Sequence, residues 1–367
     1  ADIRQHGDNL KADVTQGGFD HTTKIMQSGG TADYGATARV NQSGTVKDEA
    51  IINQGRGTSV NVVQSGAAHN IATVNLFTVE SGIADITQIG TGGINTATLN
   101  SSSVWGGGGI SQKGANLTAS INQSGTVFGN GASIEQTGSD HKASIGQGQG
   151  DFSQGFGGNS ATVKQNGSGN VADVSQSSND GVLTATVTQD GSNHKATIWQ
   201  NPVYSDADVI VQQSGDGHVA EVTQNGSDAT GAMTAVIRGK GANTAVVEQS
   251  DWQFMFAHST IIQEGAGNFA RTGQQNTEGH HSSTIEQHGN NHTADVQHAG
   301  ISNNDSVIIA RGSGSATVFQ RSVFGSSGST IEQSGENQRT AHDEKDRREH
   351  AEPSEWNGDH PAAEEEP

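Results

Sequence analysis

Residues 160–176, SATVKQNGSGNVADVSQ, decide the fold of this chain. Apolar residues or glutamine alternate with polar residues over 161–165 and again over 172–176. Such period-two alternation is typical of β-strands, because successive side chains point to opposite faces. The polar connector between the two patterns contains Gly167, two residues after a glutamine, and predicts a tight turn. The stretch therefore predicts a strand, a turn and a second strand.

This unit recurs along almost the whole chain, with a glutamine ending most of the strand patterns. After Gln112 these ends are spaced alternately by about 11 and about 13 residues, so a full repeat of two strands takes about 24 residues. About fourteen repeats fit into the chain. Five of the predicted strand ends carry another residue: Leu76, Ser101, Arg238, His298 and Arg311.

The inward face of each strand combines small and large apolar residues with the terminal glutamine. An unpartnered buried amide costs several kcal/mol, whereas amides stacked in register donate to one neighbour and accept from the other. We therefore predict a structural ladder of glutamine amides that fixes the register. Its predicted members are Gln136, Gln147, Gln165, Gln176, Gln189, Gln200, Gln213, Gln224, Gln263, Gln274, Gln287 and Gln333.

Glycine follows many of these glutamines at the second position. Because glycine adopts positive φ without steric cost, this position predicts the sharp turn after each strand. The predicted turn glycines are Gly138, Gly167, Gly191, Gly215, Gly265 and Gly289.

Two strands joined by a tight turn could pair with each other as a hairpin. We instead predict an all-β, two-sheet β-solenoid of about fourteen stacked strand-turn-strand rungs, with amyloid-like cross-β pairing. Each strand then pairs with its equivalent one rung away, at about 4.8 Å. We assign residues 1–340 to this repeat domain. Residues 341–367 hold ten acidic and three basic residues and are predicted to form a disordered acidic tail.

Composition restricts the classes of partner. The net charge of −20 disfavours nucleic acid and anionic membranes, which bind clustered Lys and Arg. No apolar run is long enough for a membrane span, and the absence of cysteine excludes disulfides and cysteine-metal sites. Hydrophobic residues make up only 30%, but their regular spacing argues against disorder. Residue 1 already lies inside a repeat, so we expect an upstream targeting segment to have been removed.

Catalytic motifs are not found: the sequence contains no nucleophile elbow, zinc-protease motif or phosphate loop. We therefore predict no enzyme activity, no cofactor and no catalytic or metal-binding residues. His194 and His218 occupy the same position in adjacent repeats and could bind a transition metal. The favoured interpretation is that they are polar turn residues that stack on one another.

The spacing Ser-x-Ile-x-Gln-x-Gly-x-x-Asn-x-Ala-x-Val-x-Gln resembles the curlin repeat of bacterial curli subunits. It is matched in full at Gln165, Gly167, Asn170, Ala172, Val174 and Gln176. The resemblance covers about residues 1 to 340. The chain differs from the family in its larger number of repeats and in its acidic tail. It also differs in the histidines that often replace the asparagine of the repeat: His141, His194, His218 and His292.

The resemblance implies a secreted functional amyloid. Curli subunits leave the cell through an outer-membrane pore and polymerise into extracellular fibres of the biofilm matrix. It implies that the partners of this chain are its own copies, the secretion pore and a nucleator subunit. The composition, as argued above, predicts no nucleic acid and no membrane span.

The two ends of a solenoid carry unpaired strand edges, which can template another copy. The predicted polymerisation edges are Ile3 and Gln5 in the first rung, and Ile331 and Gln333 in the last.

Two alternatives to a fibre subunit remain. One is a monomeric β-solenoid binding module, such as an adhesin stalk or an ice-binding protein. The variable outward residues Lys164, Asp173 and Glu221 argue against the regular threonine array of an ice binder. The other is a polysaccharide-active β-helix enzyme, for which the chain lacks a carboxylate cluster.

Overall fold

The computed structural model describes residues 1–345, apart from short gaps along the chain. The gaps are residues 31–34, 78–81, 103–106, 126–128, 150–157, 179–181, 203–206, 227–228, 240, 252–254, 277–280, 301–302 and 323–325. Most of the predicted acidic tail, residues 346–367, lies outside the described residues.

The described chain is built from β-strands. In chain order they are β1 (Asp2–Gly7), β2 (Leu10–Gln16), β3 (Thr22–Gly30), β4 (Ala36–Gln42), β5 (Glu49–Gln54), β6 (Thr58–Gly66), β7 (His69–Leu76), β8 (Gly82–Gly92), β9 (Ile94–Ser101), β10 (Gly107–Ala115), β11 (Thr118–Gln123), β12 (Gly131–Ser139), β13 (Lys142–Gln149), β14 (Ser160–Ser168), β15 (Val171–Ser178), β16 (Leu183–Ser192), β17 (Lys195–Pro202), β18 (Ala207–Asp216), β19 (Val219–Gly226), β20 (Ala229–Gly239), β21 (Thr244–Asp251), β22 (Met255–Ala266), β23 (Phe269–Asn276), β24 (His281–Gly300), β25 (Asn303–Ser322) and β26 (Ser326–Lys345).

Each strand pairs in parallel with the strand one turn away, not with its neighbour in the chain. Odd-numbered strands from β1 to β23 form one sheet, and even-numbered strands from β2 to β22 form the other. Strands β1 to β22 thus make eleven two-strand turns. The long strands β24, β25 and β26 continue the stack, because each contributes its first half to the even sheet and its second half to the odd sheet. The predicted all-β, two-sheet β-solenoid is confirmed.

The core is a thin line of apolar side chains between the two sheets. In β14, Ala161 and Val163 are buried, and they align with Ala185 and Val187 of β16. The intervening Lys164 is exposed. Burial of a valine-sized side chain contributes about 1.5–3 kcal/mol, so repetition of this pattern at every level stabilises the stack. Period-two alternation therefore determines which side chains form the core.

The turn after each even strand depends on stacked glycines. Gly167 has a φ of 108°, and a Cβ atom placed on it would lie 2.0 Å from the carbonyl oxygen of Gly191 in the next level. A side chain is thus excluded by the backbone conformation and by the close approach of the next turn. The other five predicted turn glycines also have positive φ: Gly138, Gly191, Gly215, Gly265 and Gly289.

Two of the predicted strand ends are wrong by one residue. In place of Arg238 and Arg311, the structure puts Ile237 and Ala310 in the glutamine column. In both strands the glycine two residues after the column position aligns with the turn glycine of the preceding level. The glycine stack therefore sets the register there, and the polar arginine lies one position further along.

The end of the stack lies slightly beyond the predicted boundary. Strand β26 continues to Lys345, so its last five residues extend past residue 340. The described residues include no helix that is long and apolar enough to cross a membrane.

Candidate functional site: side-chain ladders and stack ends

Stacked glutamine amides run along both sheets. In the even sheet, eight consecutive Nε2–Oε1 hydrogen bonds of 2.7–3.0 Å join nine glutamines. They are Gln16, Gln42, Gln64, Gln88, Gln112, Gln136, Gln165, Gln189 and Gln213. In the odd sheet, bonds of 2.7–2.9 Å join Gln5, Gln27 and Gln54, and then Gln123, Gln147, Gln176, Gln200 and Gln224.

Each amide in the uninterrupted part also bridges the two sheets. Gln165 Oε1 accepts from Gln136 Nε2 at 2.8 Å, and its own Nε2 donates to Gln189 Oε1 at 2.8 Å. The second Nε2 hydrogen goes to the backbone carbonyl of Lys142 in the opposite sheet, at 3.1 Å. The buried amide is thus satisfied at both atoms, and it links three levels of one sheet to the other sheet.

The ladder is interrupted in the C-terminal part of the stack. Gln263 and Gln287 form an isolated pair at 2.9 Å, because Ile237 and Ala310 occupy the adjacent levels of their column. Gln213 is the last member of the long even ladder for the same reason. These apolar residues have no donor or acceptor to continue the amide chain.

Two glutamines predicted to be ladder members bond elsewhere. Gln274 lies level with His298, and its Nε2 donates to the carbonyl of His258 and to Ser283 Oγ. Gln333 lies below Ala310, and its Nε2 donates to the carbonyl of Ser315 and to Thr340 Oγ1. Neither residue therefore bonds to a glutamine neighbour. Gln274 also lies level with Gln249, but its Oε1 receives no hydrogen bond from that amide, whereas Gln333 lies level with Ala310, which has no amide to offer.

A second column of side chains, all polar except one leucine, lines the turn that leads from the even to the odd strands. We call it the turn column. Its members at successive levels are His21, Asp48, Asn70, Asn95, Leu117, His141, Asn170, His194, His218, Asn243, Asn268 and His292. All but His21 have almost no residue surface exposed. Buried polar groups at this density require partners.

Histidine and asparagine make equivalent hydrogen bonds in the turn column. His194 Nδ1 accepts the backbone N–H of His218 at 3.2 Å, as Asn170 Oδ1 accepts that of His194 at 3.0 Å. An Nδ1 atom that accepts is unprotonated, so the neutral ring carries its proton on Nε2. That Nε2 donates to the carbonyl four residues earlier, at Asp190, as Asn170 Nδ2 does at Asn166.

This geometry explains why histidine replaces asparagine in the repeat. The His194 and His218 rings stack with centroids 5.0 Å apart and an interplanar angle of 14°, and both ring nitrogens of His194 bond to backbone groups. Burial lowers the pKa of His141, His194 and His292 below the ordinary value of 6.5. Within the described chain, no three His, Cys, Asp or Glu side chains are grouped to hold a metal ion.

The two ends of the stack differ. Among the described strands, β1 pairs only with β3, β2 only with β4, and β26 only with β25. At the first level Ile3 is 43% exposed, whereas at the last level Ile331 is 6% exposed and Gln333 is 4% exposed. The first level therefore presents its apolar interior to solvent.

The ladders have a direction. In every bonded glutamine pair, the donating Nε2 belongs to the level nearer the N-terminus. At the first level, the Nε2 atoms of Gln5 and Gln16 donate to Gln27 and Gln42 of the second level. No glutamine precedes them in the ladder, so their Oε1 atoms accept no hydrogen bond from a ladder neighbour. The stack is polar, and its N-terminal end presents acceptors.

Comparison of the chain with protein-family models finds no match, and comparison with curated proteins finds no match either. The residues themselves therefore carry the functional argument. Sequence reasoning identified the glutamine columns and the glycine turns, but it missed the shared hydrogen bonding of the turn column. The signal for it was the limitation of that position almost entirely to Asn, His and Asp.

Proposed function

We propose that this protein is a secreted structural subunit that assembles end to end into curli-like fibres at the cell surface. The observation that carries the proposal is the open first level, where unpaired strand edges and the exposed Ile3 continue the pattern of the core. Soluble β-proteins usually cover or charge such an edge. A second copy of the chain satisfies it with the same contacts that join the internal levels.

Continuing the observed register predicts the contact between copies. With the last level of one copy against the first level of the next, Gln333 lies opposite Gln16, and Ile331 lies opposite Val14. Both pairs occupy equivalent columns of the even sheet.

The odd sheet has fifteen strand levels and the even sheet fourteen, so this contact requires β1 of the next copy to replace the second half of β26 on β25. Gln333 Nε2 then exchanges its bond to Thr340 Oγ1 for a bond to the free acceptor of Gln16. In the odd sheet, Ile3 and Gln5 take the positions opposite Val318 and Gln320. Association of unlike ends does not close on itself, so it produces a polar, open-ended fibre.

Several features support the curli-like part of the proposal. The strand-turn-strand repeat, the inward glutamines and the turn glycines occur at the spacing of the curlin repeat. The cross-β stack already has the pairing that a fibre extends. Export through an outer-membrane pore, nucleation by a separate subunit and a role in the biofilm matrix belong to the same proposal.

Seeded growth tests the proposed contact. Ile3→Lys places a charge at the open first level, and we expect it to reduce the rate at which sonicated fibre seeds elongate by at least about tenfold, because burying an unpaired charge is costly. The matched control is Met26→Lys, at an outward position that is 53% exposed. Elongation of Ile3→Lys at the control rate, or discrete particles in place of fibres for the unchanged protein, refutes end-to-end templating.

A further inference from the structure

The two sheets do not end at the same level at the C-terminal end of the stack. The second half of β26, residues 338–345, pairs in parallel with the second half of β25 and adds a last level to the odd sheet alone. We call residues 338–345 the cap. The cap lies on the edge of β25 that β1 of a second copy takes in the proposed end-to-end contact. The chain itself thus occupies the edge on which that contact depends.

The cap also contacts the last level of the even sheet. Gln333 Nε2 of that level donates to Thr340 Oγ1 of the cap at 3.0 Å and to the carbonyl of Ser315 at 2.8 Å. Among the described strands, no even-sheet strand lies beyond this level, yet Gln333 and Ile331 are both buried. In the same column at the other end of the stack, Val14 is only partly buried. The C-terminal end is therefore closed, whereas the N-terminal end is open.

The sequence of the cap departs from the columns that it continues. At the preceding level the two inward positions hold Val318 and Gln320, and in register with them the cap has His342 and Glu344. Histidine and glutamate both carry polar or charged groups that are costly to bury. Glutamate also has no N–H with which to continue an amide ladder. The cap therefore covers the edge without offering an equivalent template to a further strand.

Strand β1 matches the same edge more closely. Continuation of the odd-sheet register places Ile3 and Gln5 of an incoming copy at the positions that His342 and Glu344 hold. These two residue types continue the apolar column and the glutamine column. Both strands pair with the same backbone groups of β25, so only one of them can pair at a time. Addition of an extended strand to a sheet edge is a common mode of recognition, and here it requires an exchange of strands.

We propose that the cap is an autoinhibitory strand, which β1 of the next copy displaces when two copies join. This inference rests on the end-to-end assembly proposed above and adds its regulation. Only molecules whose cap is released can form the contact. A minor state of this kind is typically populated to about 0.1–10%, so the cap should slow elongation at least about tenfold.

A disulfide that locks the cap tests this proposal directly, because the chain has no cysteine of its own. Ala341 of the cap lies level with Thr317 of β25. Adjacent strands are about 4.8 Å apart, which lies within the Cα spacing that a disulfide allows. Thr317→Cys combined with Ala341→Cys therefore locks the cap. The matched control combines Thr317→Cys with Asp295→Cys, which links β25 to β24 one level further in.

The measurement is elongation of sonicated seeds of the unchanged protein by monomers of each full-length variant, after labelling of free thiols has verified each disulfide. We expect the oxidised locked variant to elongate at least about tenfold more slowly than its reduced form, because its cap cannot be released. The control variant should elongate equally in both forms.

A pair of deletions tests the cap without a disulfide. Deletion of residues 338–367 removes the cap and the tail, whereas deletion of residues 346–367 keeps the cap. In high salt, which screens the difference in charge, the first deletion should elongate at least about tenfold faster than the second. Equal rates for the two deletions, or for the two forms of the locked variant, overturn the cap proposal and leave end-to-end assembly intact. If neither the unchanged chain nor the chain without residues 338–367 forms fibres, both proposals fail.

Discussion

Replacement of one ladder glutamine should cost more inside the ladder than at its end. Gln165→Leu removes the acceptor of Gln136 Nε2 and the donor to Gln189 Oε1. Gln213→Leu removes the acceptor of Gln189 Nε2, but the next level holds Ile237, so no acceptor loses its donor. Both variants also lose one hydrogen bond to a backbone carbonyl of the opposite sheet. The structural difference between them is therefore one unpartnered buried oxygen, that of Gln189.

An unpartnered buried acceptor costs about 1–3 kcal/mol, so Gln165→Leu should be less stable than Gln213→Leu by that amount. Leucine has a volume similar to that of glutamine, so cavity formation contributes little to the difference. Urea unfolding of the unassembled protein, followed by far-UV circular dichroism, measures it. Equal midpoints for the two variants, or a larger loss for Gln213→Leu, would show that the amides do not act as a hydrogen-bonded ladder.

Three further predictions concern the turns and the charge of the chain. Gly167→Ala combines a positive φ with a clash against the next level, so it should destabilise by more than about 2 kcal/mol in the same urea assay, whereas Gly146→Ala should be neutral or slightly stabilising. Burial lowers the pKa of His194 below 6.5, so the unfolded state takes up a proton at a higher pH than the folded state, and stability should fall as pH drops below about 6.5. His194→Asn should reduce this loss of stability while matching the parent at about pH 8. An unchanged dependence of stability on pH in the variant would contradict this prediction. Residues 346–367 hold eight acids and two bases, and repulsion between these like charges on different copies should delay assembly. Deleting these residues, or adding salt, should therefore shorten the thioflavin lag, and an unchanged lag under both changes would contradict this role of the tail.

The repeat unit made much of the fold predictable. Period-two alternation identified the inward residues, and the need to satisfy buried amides favoured stacking over hairpins, so that Gln165 pairs with Gln189 and not with its own turn partner. The prediction was wrong where a column position is occupied by an apolar residue. At Ile237 and Ala310 the polar residue next in sequence seemed the better match, but the glycine stack sets the register.

Features that depend on several levels at once were harder to predict. The equivalence of His194 and Asn170 becomes apparent only when the N–H of the next level is placed on the acceptor atom. Local pattern determines the rung, whereas this equivalence arises from the way in which rungs are stacked.

Cryo-electron microscopy of the purified full-length protein after incubation tests the central claim most directly. The account predicts unbranched fibres whose averaged power spectrum has a layer line at about 4.8 Å, with a subunit repeat of about 67 Å from fourteen levels. Discrete particles at all times and concentrations, or fibres whose strands do not lie perpendicular to the axis, would contradict assembly by continuation of the stack.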